Sequence, residues 1–303
     1  MAFHRVVLSL GDLVECFFVK IFLFVTKILY LCECNPSQKW NRCLWRSVKF
    51  KFMKNTLETL YARYNTPEFI APDPISIPHS FSRREDIEIS GLLASTIAWG
   101  NRKAIVKSAN RMMEYLGREP YNFVMNASAH DVESLKTFVH RTFSGEDFAA
   151  FILMMRGICQ KYGSIGGFFE SSYAQSKDIR AVLAQFRTEF LSAEHNPHAD
   201  KHISSIVKGA ACKRLCMYLR WMVRKDANGV DFGIWDSIPA SALYLPLDVH
   251  SGNIGRKLGL LKRKQNDWKA VEEITANLRL LDPSDPTRFD FALFGAGINH
   301  SDL

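Results

Sequence analysis

The sequence predicts an all-α protein, and three observations support this fold class. From residue 54 onward, apolar side chains recur at the three- and four-residue spacing of a buried helix face. No segment alternates apolar and polar residues for long enough to indicate a sheet. Glycine, proline and capping residues divide the chain into segments of helical length. The prediction is therefore a domain of roughly ten helices.

The helices can be placed in order along the chain. A short amphipathic helix is predicted over 55–63, and the loop 71–81 follows it. This loop carries three prolines and is predicted to be ordered, because proline blocks both helix interiors and central strands. Further helices are predicted over 86–100, 101–117, 145–163, 166–173, 178–193 and 284–297.

Composition is that of an ordinary globular chain. The 303 residues are 47% hydrophobic and 23% charged, enough for one large domain or two moderate ones. The net charge is +8, but residues 1–52 hold eight of the 39 Lys/Arg and only three of the 31 Asp/Glu. Residues 53–303 therefore carry only +3, so the net charge is weak evidence for nucleic-acid binding.

Residues 1–52 are predicted to be an N-terminal extension to a domain over 53–303. The apolar segment 16–32 contains two lysines and is about as long as the shortest membrane-spanning helices, roughly 17 residues. Three interpretations stay open: a membrane anchor, a signal peptide with a poor cleavage site, or a segment that is not native. In the last case translation begins at Met53. A membrane partner is expected only if 16–32 is native.

The seven cysteines are scattered and form neither a CxxC pair nor a Cys/His ladder. A zinc site or an iron–sulfur cluster is therefore not predicted. An odd count, in a chain without a clear export signal, indicates the reduced thiols of a cytoplasmic protein. The sequence thus predicts no metal, no cofactor, no obligatory protein partner and a cytoplasmic location.

Residues 203–225 are apolar on nearly all sides and are predicted to form one helix through the interior. Lys213 lies inside this segment, where small or apolar residues share its helix face. Desolvation disfavours a charged amine in such surroundings. The alternative is that the Lys213 side chain extends past its small neighbours into solvent. The residue pattern by itself favours that alternative.

The stretch LPLDVHSGNIGRKLGL raises the question of what Asp248 does. Asp248 is predicted to be the N-cap of a helix that begins at Val249, where a carboxylate contributes about 0.5–2 kcal/mol. Capping explains Asp248, but it explains neither the preceding Pro246 nor His250 in the first turn. A second role for the carboxylate is therefore open.

Three segments together resemble the helix-hairpin-helix DNA glycosylase superfamily, and within it an uncharacterised bacterial family, domain of unknown function 2400. PLDVHSGNIGRKLGL is similar to the superfamily's Pro-x-Asp-x-His stretch, KGAACKRL to its hairpin, and EISGLLASTIAWGNRKAI to the early helix and turn that approach the lesion. The resemblance covers about residues 53–303. It implies a two-lobed helical fold with a central cleft.

The resemblance also implies roles for individual residues. Lys213 occupies the place of the nucleophilic lysine, Asp248 that of the catalytic aspartate, and Gly209 lies in the hairpin. The implied partner is double-stranded DNA with a damaged base or an abasic site. Trp99 and Asn101 are candidates for contacting the flipped nucleotide. His250 is a candidate for contacting a phosphate or Asp248. Candidates for phosphate contacts alone are the cations Arg102, Lys103, Arg214, Arg256 and Lys257.

Four features depart from the superfamily's usual pattern. Lys213 and Asp248 are thirty-five residues apart, a long gap that resembles the archaeal 8-oxoguanine glycosylase branch. The hairpin reads Gly-Ala-Ala in place of Gly-x-Gly. Trp99-Gly100-Asn101 replaces the glutamines that are usual in the early turn. The C-terminal cysteine cluster of some members is absent.

The expected function is base excision, with or without abasic-site lyase activity. A lysine amine would attack the anomeric carbon and form a Schiff base, while a carboxylate stabilises the cationic sugar. One alternative is a non-catalytic nucleic-acid-binding protein of the same fold, and another is a membrane-tethered scaffold. The distance between Lys213 and Asp248 separates the first two, because an active site needs them within a hydrogen bond or one bridging water.

Overall fold

A computed structural model describes residues 39–298 of the protein, with side chains described from residue 50 onward. The apolar segment 16–32 lies outside the described residues. The α-helices within this range are α1 (Lys39–Tyr64), α2 (Arg84–Thr96), α3 (Arg102–Tyr115), α4 (Pro120–Asn126), α5 (Ala129–Ser134), α6 (Gly145–Tyr162), α7 (Ile165–Ser176), α8 (Ile179–Phe190), α9 (Lys213–Val223), α10 (Val249–Leu258), α11 (Trp268–Leu281) and α12 (Asp290–Ile298).

The predominantly helical class is confirmed. One small hairpin was not predicted: β1 (Val139–His140) and β2 (Phe143–Ser144) pair antiparallel. Each strand has only two residues, too few for an alternating pattern to show in the sequence. The hairpin lies directly before α6, and Ser144 is the N-cap of that helix.

The first helix of the described residues is longer than the sequence predicts. The expected helix 55–63 is the last part of α1, which has 26 residues. The chain divides into two compact units between Lys54 and Asn55, inside this helix. None of the helices between residues 39 and 298 is both long enough and apolar enough to cross a membrane.

The proline-rich loop after α1 is ordered, as predicted. Its backbone forms two 3₁₀ turns, Pro74–Ser76 and Pro78–Ser80, and each begins with a proline. Proline suits the first position of a helical turn because the N–H it lacks has no partner there. Asp73 caps the first turn by accepting a hydrogen bond from the Ile75 amide at 3.2 Å. The turn thereby places a buried carboxylate next to α2 and α3.

Helices α2 and α9 pack against each other in the core. Gly91 of α2 allows this close approach, since a Cβ added there would lie 2.8 Å from the Met222 side chain. The Tyr218 hydroxyl of α9 donates to the Glu88 carbonyl at 2.9 Å, which satisfies a buried polar group in the apolar contact. This contact fixes α9, and with it Lys213, relative to the rest of the core.

The prediction of a single helix over 203–225 is wrong. Helix α9 begins only at Lys213, and a turn precedes it. The helix is interrupted because Gly209 (φ +80°) and Cys212 (φ +49°) adopt left-handed conformations that a right-handed helix excludes. Of the apolar residues in this turn, Ile206 and Cys212 are buried and Val207 is exposed, so the apolar run in the sequence imitates an interior helix without being one.

Candidate functional site

The turn over residues 205–212 places Lys213 at the first position of α9. The Gly209 amide donates to the Ile206 carbonyl at 2.9 Å, and the Ala210 amide donates to the Ser205 carbonyl at 3.1 Å. The positive φ angles of this turn fall on Gly209 and Cys212. The Gly-Ala-Ala sequence therefore meets the needs of the turn, because its alanines occupy positions that do not require glycine.

A second loop holds this turn beside Asp248. The Trp268 amide donates to the Gly209 carbonyl at 2.9 Å, and Asp267 forms an isolated bridge with Ala210. From the same loop, the Asn266 side-chain amide donates to the Asp248 carbonyl at 3.0 Å. The loop before α11 thus connects two segments that are far apart in the sequence.

The two carboxylate oxygens of Asp248 have different partners. Oδ1 accepts hydrogen bonds from the Ser251 amide at 2.9 Å and from the Ser251 hydroxyl at 3.2 Å, which confirms the predicted N-cap. Oδ2 lies 3.5 Å from Nζ of Lys213. Capping therefore occupies one oxygen and orients the other toward the amine.

The ion pair between Lys213 and Asp248 is long and partly exposed to solvent. Its separation of 3.5 Å exceeds the usual 2.7–2.9 Å of a charge-assisted hydrogen bond. The side chains are 28% and 20% exposed. Pairs of this kind contribute little to stability. The amine is thus within reach of an external ligand, and the nearby carboxylate can accept its proton.

Two further carboxylates lie within electrostatic range of the pair. Burial raises the pKa of Asp290 to about 6, although the Arg220 charge opposes this, and the charges of Asp248 and Lys213 also act on it. Burial likewise raises the pKa of Asp73, opposed mainly by Arg102 and more weakly by Lys213. The positive charge of Lys213 therefore lies within electrostatic range of three carboxylates, those of Asp248, Asp73 and Asp290.

The sequence pointed to neither Asp73 nor Asp290 as part of a site. Asp73 reads as a loop residue between prolines, and Asp290 as an acidic residue in the first turn of the last helix. The only sequence signal is that Asp290 is a single carboxylate in an otherwise apolar run, FDFALFGAG. Such a charge must find a partner in the interior, and Arg220 provides it.

Arg102 and His250 meet at Phe294 of α12. The Arg102 guanidinium lies 5.0 Å from the Phe294 ring centre and 3.9 Å from Asp73. The His250 ring contacts the Phe294 ring edge-on at 6.2 Å, and its Nδ1 lies 3.1 Å from the Gly297 carbonyl. Arg102 also lies over Phe69 at 5.9 Å. These residues form an aromatic and cationic surface beside Asp73.

Trp99 and Arg214, two of the predicted DNA contacts, contact each other. The Arg214 guanidinium lies 5.2 Å from the Trp99 ring centre and donates to the Thr96 carbonyl at 2.6 Å. The Trp99 ring also stacks on His202 at 5.9 Å and meets His140 edge-on at 5.4 Å. Trp99 therefore has a packing role, and its role in DNA contact stays a prediction.

The remaining predicted DNA contacts differ in their surroundings. Asn101 is the exposed N-cap of α3 and accepts from the Ala104 amide at 3.1 Å. Arg256 donates to the carbonyls of Arg263 at 2.9 Å and Lys264 at 2.8 Å, so it holds a loop in place. Lys103 is exposed. Contact of these residues with phosphate stays a prediction.

A basic surface depression of about 510 Å³ lies on the loop before α11, which is hydrogen-bonded to the 205–212 turn. Lys213 and Asp248 are not among its lining residues. We call it the basic depression; its lining residues are Lys262, Arg263, Lys264, Gln265, Lys269 and Glu273. Arg263 is already paired with Asp267, which leaves the lysines as its available cations. The depression offers positive charge to a polyanion next to the turn.

The family model for the protein of unknown function DUF2400 matches residues 73–299. The chain belongs to the DUF2400 family. The matched range contains the 205–212 turn, Lys213 and Asp248 of this DUF2400 protein. No curated protein and no solved structure matches the chain. Since the family description states no activity, the chemistry has to be argued from the residues themselves.

Proposed function

We propose that this DUF2400 protein is a DNA glycosylase with abasic-site lyase activity, in which Lys213 is the nucleophile and Asp248 its carboxylate partner. The main support is the 3.5 Å separation of Nζ and Oδ2, which joins two residues thirty-five positions apart. We also propose that the chain has the two-lobed helix-hairpin-helix fold and that it is nearest to the archaeal 8-oxoguanine glycosylase branch of that superfamily. We further propose that the protein is cytoplasmic.

The chemistry requires an unprotonated amine and an ionised carboxylate. The amine of Lys213 gives up a proton to Oδ2 of Asp248 and attacks C1′ of the nucleotide. The glycosidic bond breaks, and the base leaves with the bond electrons and takes up the proton from Asp248. The Asp248 carboxylate, ionised again, stabilises the positive charge on the sugar. The C1′–O4′ bond then opens as a proton moves from the attached nitrogen to O4′, which gives a protonated Schiff base. Loss of a C2′ proton from this Schiff base breaks the 3′ C–O bond, and the 3′ phosphate leaves with the bond electrons, which cleaves the strand.

The surroundings of the pair suit a DNA strand. No side chain caps the N-terminus of α9, since Cys212 makes no capping hydrogen bond, so its first amides can bind a phosphate. The basic depression adds cations beside the same turn. Phe69 and Phe294 are partly exposed aromatic rings next to Arg102, and such rings can stack on a flipped base.

Neighbouring thiols do not compete with the amine. Burial raises the pKa of Cys212, the residue before Lys213, to about 11. Burial also raises the pKa of Cys216 well above its usual range. Both therefore stay protonated near neutral pH, and the thiolate is the reactive form of cysteine. This supports Lys213 as the nucleophile of the site.

The second candidate is a DNA-binding protein without chemistry. It is favoured by the contact between Trp99 and Arg214, because both side chains pack against the protein where the resemblance would have them approach DNA. It is also favoured by the net charge of only +3 over residues 53–303. In this case the Lys213–Asp248 ion pair would only hold the turn against α10.

A base-release assay separates the two candidates. The full chain is incubated in excess over duplexes that contain 8-oxoguanine or uracil, and over an undamaged duplex, and the free base is quantified by mass spectrometry. We expect time-dependent release from a damaged duplex, and equal release by the Lys136→Gln variant, which alters an exposed cation outside the predicted DNA contacts. Tight binding to the damaged duplexes with no base released would favour the second candidate.

A further inference from the structure

Three potential metal ligands converge beside Trp99: Asp147, His198 and His202. Nδ1 of His198 lies 2.8 Å from Oδ1 of Asp147, and Nε2 of His202 lies 3.2 Å from Oδ2. One ligand atom from each residue lies within 4.8 Å of both others. This set is separate from the Lys213–Asp248 pair and does not depend on the proposed function.

Asp147 is held in place by its own helix. It lies in the first turn of α6, and Oδ2 accepts from the Ser144 amide at 2.8 Å and the Ser144 hydroxyl at 3.0 Å. Its side chain is only 1% exposed. A carboxylate so fully buried and so firmly oriented needs positive charge or strong donors at its free lone pairs. The two imidazoles lie at those positions.

The histidines come from one short 3₁₀ segment, Pro197–His202. His202 is buried against the Phe143 ring at 4.8 Å, and His198 is 48% exposed. The site is thus closed on the side of His202 and open to solvent on the side of His198. An ion can enter from solvent, and water can complete its coordination.

We propose that Asp147, His198 and His202 bind one Zn²⁺ ion. Two imidazole nitrogens and one carboxylate oxygen form a donor set that suits Zn²⁺, which favours four ligands. With bonds of about 2.0–2.2 Å, a tetrahedral site separates its ligand atoms by about 3.4 Å. The observed separations of 2.8 and 3.2 Å are both shorter than that value, so the ligand atoms must move apart by a few tenths of an ångström, which side-chain rotation can supply.

Binding requires one rearrangement at His198. The Lys201 amine contacts Nε2 of His198, which favours the tautomer with its proton on Nδ1. Coordination through Nδ1 moves the proton to Nε2, and the exposed Lys201 side chain then turns into solvent. Lys201 therefore weakens zinc binding, through both its charge and its contact with the ring.

The ion would connect the Pro197–His202 segment to the start of α6. Because the His202 ring stacks on Trp99, fixing His202 also fixes Trp99. The sequence hides the ligand set, since Asp147 precedes His198 by fifty-one residues and no cysteine takes part. The expectation of no metal rested on cysteine patterns, which such a site does not contain.

Zinc titration of the full-length protein, after removal of metal with a chelator, tests the proposal. We expect saturable uptake of about one Zn²⁺ per chain, with the melting temperature rising as free zinc exceeds Kd. His198→Gln should weaken binding at least tenfold, because changes even to outer-shell partners cost about 10–100-fold. His198 is half exposed, so this variant should fold normally.

Two further variants complete the test. His130→Gln removes an exposed histidine outside the set and should leave the affinity unchanged, whereas Lys201→Gln should tighten binding severalfold. The proposal is overturned if no saturable uptake occurs, or if His198→Gln binds zinc as tightly as the unaltered protein. Either result would leave Asp147 as a hydrogen-bond acceptor that ties the histidines to α6.

Discussion

The two ends of α9 carry cations in opposite situations. At the C-terminal end, Arg224 is 1% exposed and contacts Asp285 at 2.7 Å, Asp231 at 3.0 Å, and Asp226. At the N-terminal end, Lys213 is 28% exposed and has one carboxylate at 3.5 Å. The same helix thus holds one fully paired cation and one incompletely paired cation.

The difference separates a structural charge from a reactive one. A buried guanidinium with several carboxylates has no free donor for a ligand, and removing it leaves the carboxylates unpaired in the interior. A partly exposed amine beside a single carboxylate adds little stability and keeps its lone pair accessible once it is deprotonated. We therefore expect changes at the two ends to affect different measurements.

The largest effect is expected at the buried end. Arg224→Gln should lower the free energy of unfolding by about 3–5 kcal/mol, because it leaves buried carboxylates without their cation. Lys213→Gln should lower it by less than about 1 kcal/mol. Urea denaturation of both variants measures this contrast. Equal destabilisation by the two substitutions would contradict the distinction between the two ends.

The next effect concerns Asp248 and activity. Asp248→Asn keeps a good N-cap residue, so the free energy of unfolding should change little. It removes the carboxylate charge beside Lys213, and base release should slow by about 10²–10³-fold, as when a transition-state charge loses its stabilising group. Single-turnover base release and urea denaturation are measured on the same preparation. Loss of stability with unchanged release would make Asp248 a cap only.

A smaller effect is expected at Asp290. This residue contacts Arg220, in the last turn of α9, and it also interacts electrostatically with Lys213 at the first position of the helix. Its pKa is raised to about 6 in the folded protein, so between pH 4 and 6 the folded state binds more protons than the unfolded state. The stability from this group is therefore present at pH 4 and lost as pH rises through about 6.

The variant Asp290→Asn cannot titrate and isolates that effect. The difference in free energy of unfolding between the unaltered protein and the variant should fall by on the order of 2 kcal/mol from pH 4 to 7. Urea denaturation at four pH values between these limits measures it. A difference that stays constant, or that grows with pH, would show that Asp290 is ionised throughout.

The helices were largely predictable, because helical periodicity and caps are local features of the sequence. Asp248 is an N-cap as predicted, and the helix predicted to start at Asn101 begins there, with Asn101 as its N-cap. The break before Lys213 was not predictable, because Cys212 adopts a left-handed conformation that its residue type does not indicate. Tertiary contacts with Asp267 and Trp268 stabilise that turn.

The candidate site was predictable only in part. Lys213 and Asp248 were singled out by resemblance and by the cap position, and the structure places them together. Asp73, Asp290 and the aromatic partners of Arg102 were missed, because their proximity arises from the packing of distant segments. Residue type at a single position carries no information about such packing.

Borohydride trapping on a duplex with an abasic site tests the central claim most directly. If Lys213 is the nucleophile, the unaltered protein forms a covalent protein–DNA adduct, and Lys213→Gln forms none while it still binds the duplex. A peptide map should place the adduct on Lys213. Binding of the duplex without any adduct, or an adduct of equal yield with Lys213→Gln, would contradict the assignment of Lys213 as the nucleophile.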